Sequence, residues 1–180
     1  MIRRTIRPST DASTARIVGK TLAQTALFWG FFLWLLPWII IRFTSDWPLP
    51  DLRFPGHTAT GWVVFGVAGT IGITSGMVMS VRGRGTPIPM DCARELVVVG
   101  PYRWVRNPMA LAGITQGVAI GIVHGSLLVI MYALAGAGFW HLVVRPPEEA
   151  DLADRFGLDF DSYRRDVRCW LPRRRPWSPD

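Results

Sequence analysis

The sequence predicts an all-α integral membrane protein with about four transmembrane helices and a C-terminal amphipathic helix on the cytoplasmic side. Three observations carry this. Charge is absent from three runs, Thr21 to Ile41, Phe54 to Val81 and Asn107 to Val144, of 21, 28 and 38 residues. About 20 apolar residues suffice for a helix to cross a hydrocarbon core of about 30 Å. Basic residues crowd alternate segments: of the 20 Lys and Arg, only Arg42 and Arg53 lie between the first two runs. Finally, Leu152, Phe156, Phe160, Tyr163 and Val167 recur at steps of four, four, three and four, one face of a helix whose remainder is charged.

Residues 1–20 are polar and basic, and are expected to be loosely ordered. The first span, about 21–43, is rich in Phe28, Trp29, Phe31, Phe32, Trp34 and Trp38, and Pro37 is expected to kink it. Its apolar stretch is too long for a signal peptide and lacks a small-residue cleavage site, so it reads as a retained anchor. A loop over 44–56 carries Pro48, Pro50 and Pro55, with Trp47 at the membrane interface. The second span, about 57–81, and the third, about 108–123, carry glycines four apart: Gly72 and Gly76, then Gly117, Gly121 and Gly125. Such spacing lets helices approach closely and also permits homodimers. A turn at 124–126 leads to the fourth span, about 126–144. The bundle thus runs over 21–145 and the C-terminal segment over 146–180, where Gly157 is expected to interrupt the helix.

The alternation of basic segments places both termini and the Arg82–Arg106 loop in the cytoplasm. It also explains the net charge of +7 without a nucleic-acid partner: these residues stand at membrane boundaries, against anionic lipid headgroups. Cys92 and Cys169 both fall on that reducing side, where a structural disulfide is not expected. Without histidines at ligand spacing they make no zinc site. A soluble Rossmann-type methyltransferase fold is excluded too. The only GxG pieces are 83-GRG-85 and 136-GAG-138, and neither joins a strand to a helix.

Three polar clusters converge on the cytoplasmic face: 83-GRGTPIP-89, 100-GPYRWVRNP-108 and 148-EE-149. If the third and fourth spans form a hairpin, Arg106 returns to the neighbourhood of Glu148 and Glu149. A structural ion pair and a functional site are equally compatible with that placement. His57 and His124 read as interfacial residues.

The segments 85-GTPIPMD-91, 96-LVVVGPYRWVRNPMALAG-113, 148-EEADL-152, 156-FGLDFDSY-163 and 167-VRCWLPR-173 fall in one order and spacing. As a set they resemble the integral-membrane methyltransferases that include isoprenylcysteine carboxyl methyltransferases and phospholipid N-methyltransferases, above all the small bacterial members. The resemblance covers roughly residues 60–175. It implies S-adenosylmethionine as methyl donor, a lipophilic small-molecule or lipid acceptor, and residence in a bacterial inner membrane. It implies Arg106 and Glu149 as catalytic residues. It places Gly100, Pro101, Tyr102, Arg103, Arg106, Asn107, Pro108, Met109, Gly113, His141, Glu148, Glu149 and Tyr163 along the cofactor. Arg106 or Arg103 suits its carboxylate. Glu148 or Glu149 suits its ammonium or ribose, and Tyr102, Trp104 or Tyr163 its adenine or sulfonium. The N-terminal end of the third span, at Pro108, offers backbone N–H groups. The chain departs from the family pattern at Ala110 and Ala112, where tyrosine and glycine are usual, and at Phe160, where tyrosine is frequent. Two other readings fit the same residues: a membrane reductase using NADPH, of the sterol-reductase type, and a non-catalytic scaffold that keeps the fold.

Overall fold

The computed structural model describes residues 14–83 and 94–178; the 83-GRGTPIP-89 cluster beyond Gly83, and Cys92, lie outside them. Six α-helices follow in order: α1 (Thr14–Phe28), α2 (Leu36–Thr44), α3 (His57–Arg82), α4 (Pro108–His124), α5 (Leu127–Phe139) and α6 (Arg145–Asp166). The helical part of the chain begins earlier than expected, since residues 14–20 already belong to α1 rather than to a loose leader. Among the described residues there is no strand, only an isolated bridge between Asp51 and Ser126.

Two joints are π-helical rather than broken. Trp29–Leu35 links α1 to α2, and Trp140–Val144 links α5 to α6. Both precede prolines, Pro37 in one case and Pro146–Pro147 in the other. A proline ring offers no N–H and clashes with the carbonyl four residues back. Widening the turn by one residue accommodates the ring. Accordingly the N–H of Leu36 donates to the Phe31 carbonyl and that of Arg145 to the Trp140 carbonyl, both five residues back. The irregularity expected at Pro37 takes this form. The last helix therefore does not stop at Val144 but runs on into α6.

Three helices are long and apolar enough to cross a membrane: Ala15–Thr44, His57–Arg82 and Leu127–Asp166. In the third, the uncharged portion ends at Val144 and charge begins at Arg145. α4 is apolar but shorter, 17 residues, a rise of about 25 Å.

Small residues govern the packing. α4 runs antiparallel to α3, with Gly61 against Val123, Gly69 against Gln116, Gly72 against Ala112 and Gly76 against Met109. On α1, Thr21 packs on Gly76, and its hydroxyl bonds that of Ser80 at 2.6 Å. α5 closes on α4 where Gly117 meets Ala133 and Gly121 meets Ile130. Gly72, Gly76, Gly117 and Gly121 thus meet neighbouring helices of the same chain, and Gly125 meets Asp51 and Arg53 of the loop after α2. At one end, the loop after α2 meets the α4–α5 turn, the N–H of Leu52 donating to the Gly125 carbonyl at 3.1 Å. Segments 94–107 and 145–178 gather at the other end. The described basic residues other than Arg42 and Arg53 belong to segments at that end.

There the tail folds back. Gly157 adopts φ 51°, ψ −124°, interrupting α6 where expected. Phe160, Tyr163 and Val167 form a small core with Trp177, flanked by Leu96, Val98, Leu152, Ala153 and Phe156. The periodic apolar face thus packs on protein.

A β-carbon at Gly121 would lie 2.5 Å from Ile130 Cγ1 and 2.9 Å from its backbone nitrogen, whereas one at Gly136 meets nothing within 4 Å. Gly121→Ala should therefore force α4 and α5 apart and cost about 1–3 kcal/mol. Gly136→Ala should leave stability unchanged or slightly raised. Thermal unfolding of both variants in detergent separates the two outcomes.

Candidate functional site

The segment before α4 is shaped by its own residues. Val99 is extended, Gly100 turns the chain with φ 59°, and Gly100–Arg103 forms a single 3-10 turn. A side chain at position 100 would also press on Val78. Asn107 caps α4: its Oδ1 accepts from the Ala110 N–H at 3.1 Å, its carbonyl accepts from the Leu111 N–H, and Pro108 occupies the first helical position. The helix end is thus largely satisfied from within. Of the N–H groups expected there for an anion, that of Ala110 is taken by the cap.

The tail laces this segment in place. The Arg106 N–H donates to the Arg168 carbonyl at 3.0 Å, that of Arg173 to the Trp104 carbonyl at 2.8 Å, and that of Trp177 to the Arg103 carbonyl at 2.9 Å. Arg103 Nε donates to the Trp177 carbonyl. The Tyr163 hydroxyl donates to the Tyr102 carbonyl at 2.6 Å, and Trp177 Nε1 donates to Asp166 at 3.0 Å.

Held this way, the Arg106 guanidinium meets α6. Its Nη2 lies 3.1 Å from Glu149 Oε1, and the two side chains are only 12% and 20% exposed. Nε and Nη1 of Arg106 are buried without a partner among the described residues. A buried guanidinium satisfied on one nitrogen alone is costly, and the two idle donors form a ready seat for an anion. Glu148 keeps accessible surface. Yet burial, ahead of the neighbouring Glu149 and Asp151, raises its carboxyl to a pKa of about 7. Burial also pushes the Tyr102 and Tyr163 hydroxyls and the Cys169 thiol up.

Tyr102, Arg106, Glu148, Glu149 and Tyr163 are thus brought together. Other expected residues serve the scaffold. Arg103 is tied to the tail. Met109 fills the space beside Gly76. The Tyr102 hydroxyl donates to the Ser75 carbonyl at 3.4 Å, and the Tyr163 ring meets Trp177 edge-on. Trp104 is exposed, and Gly113 faces open space. His141 lies on the π-helical joint, where Trp170 Nε1 donates to its Nδ1 at 2.9 Å. That bond requires Nδ1 to be unprotonated, so the neutral ring carries its proton on Nε2. Ala112, where the family pattern has glycine, is buried against Gly72.

Sequence reasoning gave no role to Arg145 or Trp177; it weighed Cys169 only for a disulfide or zinc site and used Trp170 only as part of 167-VRCWLPR-173. The Arg145 side chain hydrogen-bonds Cys169, a buried free thiol that also feels Arg106 and Glu149. Arg145's position directly before Pro146, Pro147 and the glutamate pair was the available signal. Trp177 follows a run of arginines that masks it.

Two predictions follow from this geometry. Tyr163→Phe leaves the buried Tyr102 carbonyl without its donor and should cost about 1–3 kcal/mol in thermal unfolding. Glu148 has a folded-state pKa of about 7 against an ordinary 4.5. Its contribution is therefore fully present below about pH 4.5 and lost as pH rises through about 7. Glu148→Gln should remove that slope from stability measured across this window.

In comparison with known proteins, the family model for phospholipid methyltransferase matches residues 57–159, from the start of α3 into α6. No curated protein and no solved structure matches the chain.

Proposed function

The chain belongs to the phospholipid methyltransferase family, and from that premise we propose that it is an S-adenosylmethionine-dependent membrane methyltransferase. Its acceptor is lipophilic: a phospholipid amine, an isoprenylcysteine-like carboxylate or another lipid. The reading has α4 completing four crossings, both termini in the cytoplasm of a bacterial inner membrane, and the segment 146–180 closing the site on that face.

The observation that carries it is Arg106, anchored to Glu149 on one nitrogen and presenting two buried donor nitrogens that are unpaired among the described residues. Those donors suit the cofactor's carboxylate. Glu148, which makes no recorded ion pair among the described residues, suits its ammonium. When bound, S-adenosylmethionine supplies a methyl carbon on a positively charged sulfur, which leaves as a neutral thioether once an acceptor lone pair bonds to the methyl.

What remains for the protein is alignment, exclusion of water and, for an amine, removal of a proton. A carboxyl raised to a pKa of about 7 is matched to that last task at neutral pH. His141 is less suited, because Trp170 occupies the lone pair of its Nδ1. The polar donor enters from the water side of the segment joining Tyr102 to Asn107. The greasy acceptor arrives along the apolar helices.

Calorimetric titration of the detergent-purified protein with S-adenosylhomocysteine tests this reading. Saturable binding is expected, weakened at least about tenfold by Arg106→Ala and by Glu149→Ala, since each removes a charge-assisted contact or its anchor. Glu149→Gln, which keeps the shape, guards against loss of fold. A folded wild-type protein that binds no S-adenosylhomocysteine rules the proposal out.

A further inference from the structure

Three contacts lie in register between the tail and the helix that leaves α5. His141, Arg145 and Glu149 are spaced four apart, which brings them toward one face of that helix. Trp170 Nε1 donates to His141 Nδ1 at 2.9 Å. The Arg145 side chain bonds Cys169. The next tail residue back, Arg168, accepts through its carbonyl from the Arg106 N–H, and the Arg106 guanidinium holds Glu149 at 3.1 Å. The tail therefore runs over this face against the direction of the helix, with Arg145 as the middle rung.

Charge around that rung does not balance. The Cys169 thiol feels Arg106, Arg145 and Glu149 together, so two guanidinium groups and one carboxylate stand about a single sulfur. Glu149 is committed to Arg106. Glu148 does not act as the missing partner of Arg145: burial and neighbouring carboxylates raise its carboxyl, the opposite of what a paired cation does. Three donor nitrogens are left buried without a partner among the described residues, Nε and Nη1 of Arg106 and Nε of Arg145. Two cations that share one carboxylate repel each other and call for a further anion. Idle donors on two planar forks suit an anion with two oxygens.

We infer that Arg145 is the second guanidinium of the seat for the cofactor's carboxylate, which bridges it to Arg106 beside Cys169. This rests on the methyltransferase reading above and adds the residue that makes the site demand a carboxylate. Arg106 comes from the segment that enters α4 and Arg145 from the helix that leaves α5, so one bridging carboxylate draws both ends of the hairpin together. The thiol is kept protonated by burial and adds no negative charge to compete with it.

The test is calorimetric titration of the detergent-purified full chain with S-adenosylmethionine and with its decarboxylated form, two probes that differ only in the carboxylate. The wild type is expected to bind S-adenosylmethionine about tenfold or more tightly than the decarboxylated form, the range of a charge-assisted contact. Arg145→Gln should lose about tenfold for S-adenosylmethionine and nothing for the decarboxylated form. Arg145→Lys keeps the charge without the fork, and should keep the fold and only part of the preference. Cys169→Ala removes the bond to the thiol alone and should keep the preference in full.

Equal weakening of both probes in Arg145→Gln points to a merely structural arginine and overturns the inference. So does the wild-type preference in Arg145→Gln or, should that variant fold poorly, in Arg145→Lys. A Cys169→Ala chain that loses as much as Arg145→Gln overturns it as well. A wild type that binds both probes equally overturns it while leaving the cofactor reading intact. A folded wild type that binds neither overturns both.

Discussion

The contact between Arg106 and Glu149 is the one on which the charged end of the molecule depends. It joins the segment that enters α4 to the segment that leaves α5, two pieces of chain that the α4–α5 hairpin returns to the same end. Removing two charges from water costs several kcal/mol per ion, and the attraction between them repays this only with good geometry and further hydrogen bonds. Here the pair is mostly buried, yet two guanidinium nitrogens remain unpaired. As a purely structural bridge it is incomplete. As half of an anion site it makes chemical sense, because an arriving carboxylate would satisfy the donors that the protein leaves idle.

The tail supports that pair from behind. Backbone bonds from 168, 173 and 177 to 103–106 hold the Arg106 segment by its main chain, independent of side-chain identity. The Phe160–Tyr163–Val167–Trp177 core then pins the tail to α6. This is a small hydrophobic core standing outside the bundle. The apolar spans cannot serve that purpose, since lipid competes for their surfaces and they hold together instead by close approach at small residues.

The second of the two π-helical joints orients charged side chains as well as relieving prolines. It lies between Trp140 and Val144 and sets the rotation at which Arg145, Glu148 and Glu149 leave the membrane helix. His141 sits within it, bonded to Trp170 of the tail. One widened turn therefore couples the apolar helix, the tail and the carboxylates between them.

Much of the helical fold was legible in the residues. Charge-free runs and alternating basic segments follow from the cost of burying charge in hydrocarbon, which acts position by position along the chain. For the same reason the helical face from Leu152 to Val167, the interruption at Gly157 and the close approach at Gly72, Gly76, Gly117 and Gly121 could be read in advance. The nearness of Arg106 to the glutamate pair followed from the hairpin alone. Other features needed the folded molecule. The continuation of the helix past Val144 depends on what the neighbouring turns pack against. Whether Arg103 or Arg106 keeps idle donors depends on where the tail's carbonyls fall, and that is set by contacts 60 to 75 residues apart in sequence. The roles of Trp170, Trp177 and Arg145 were hidden for the same reason. Local pattern records which residues must avoid water or lipid, but which polar group is left without a partner emerges only once every other group has found one.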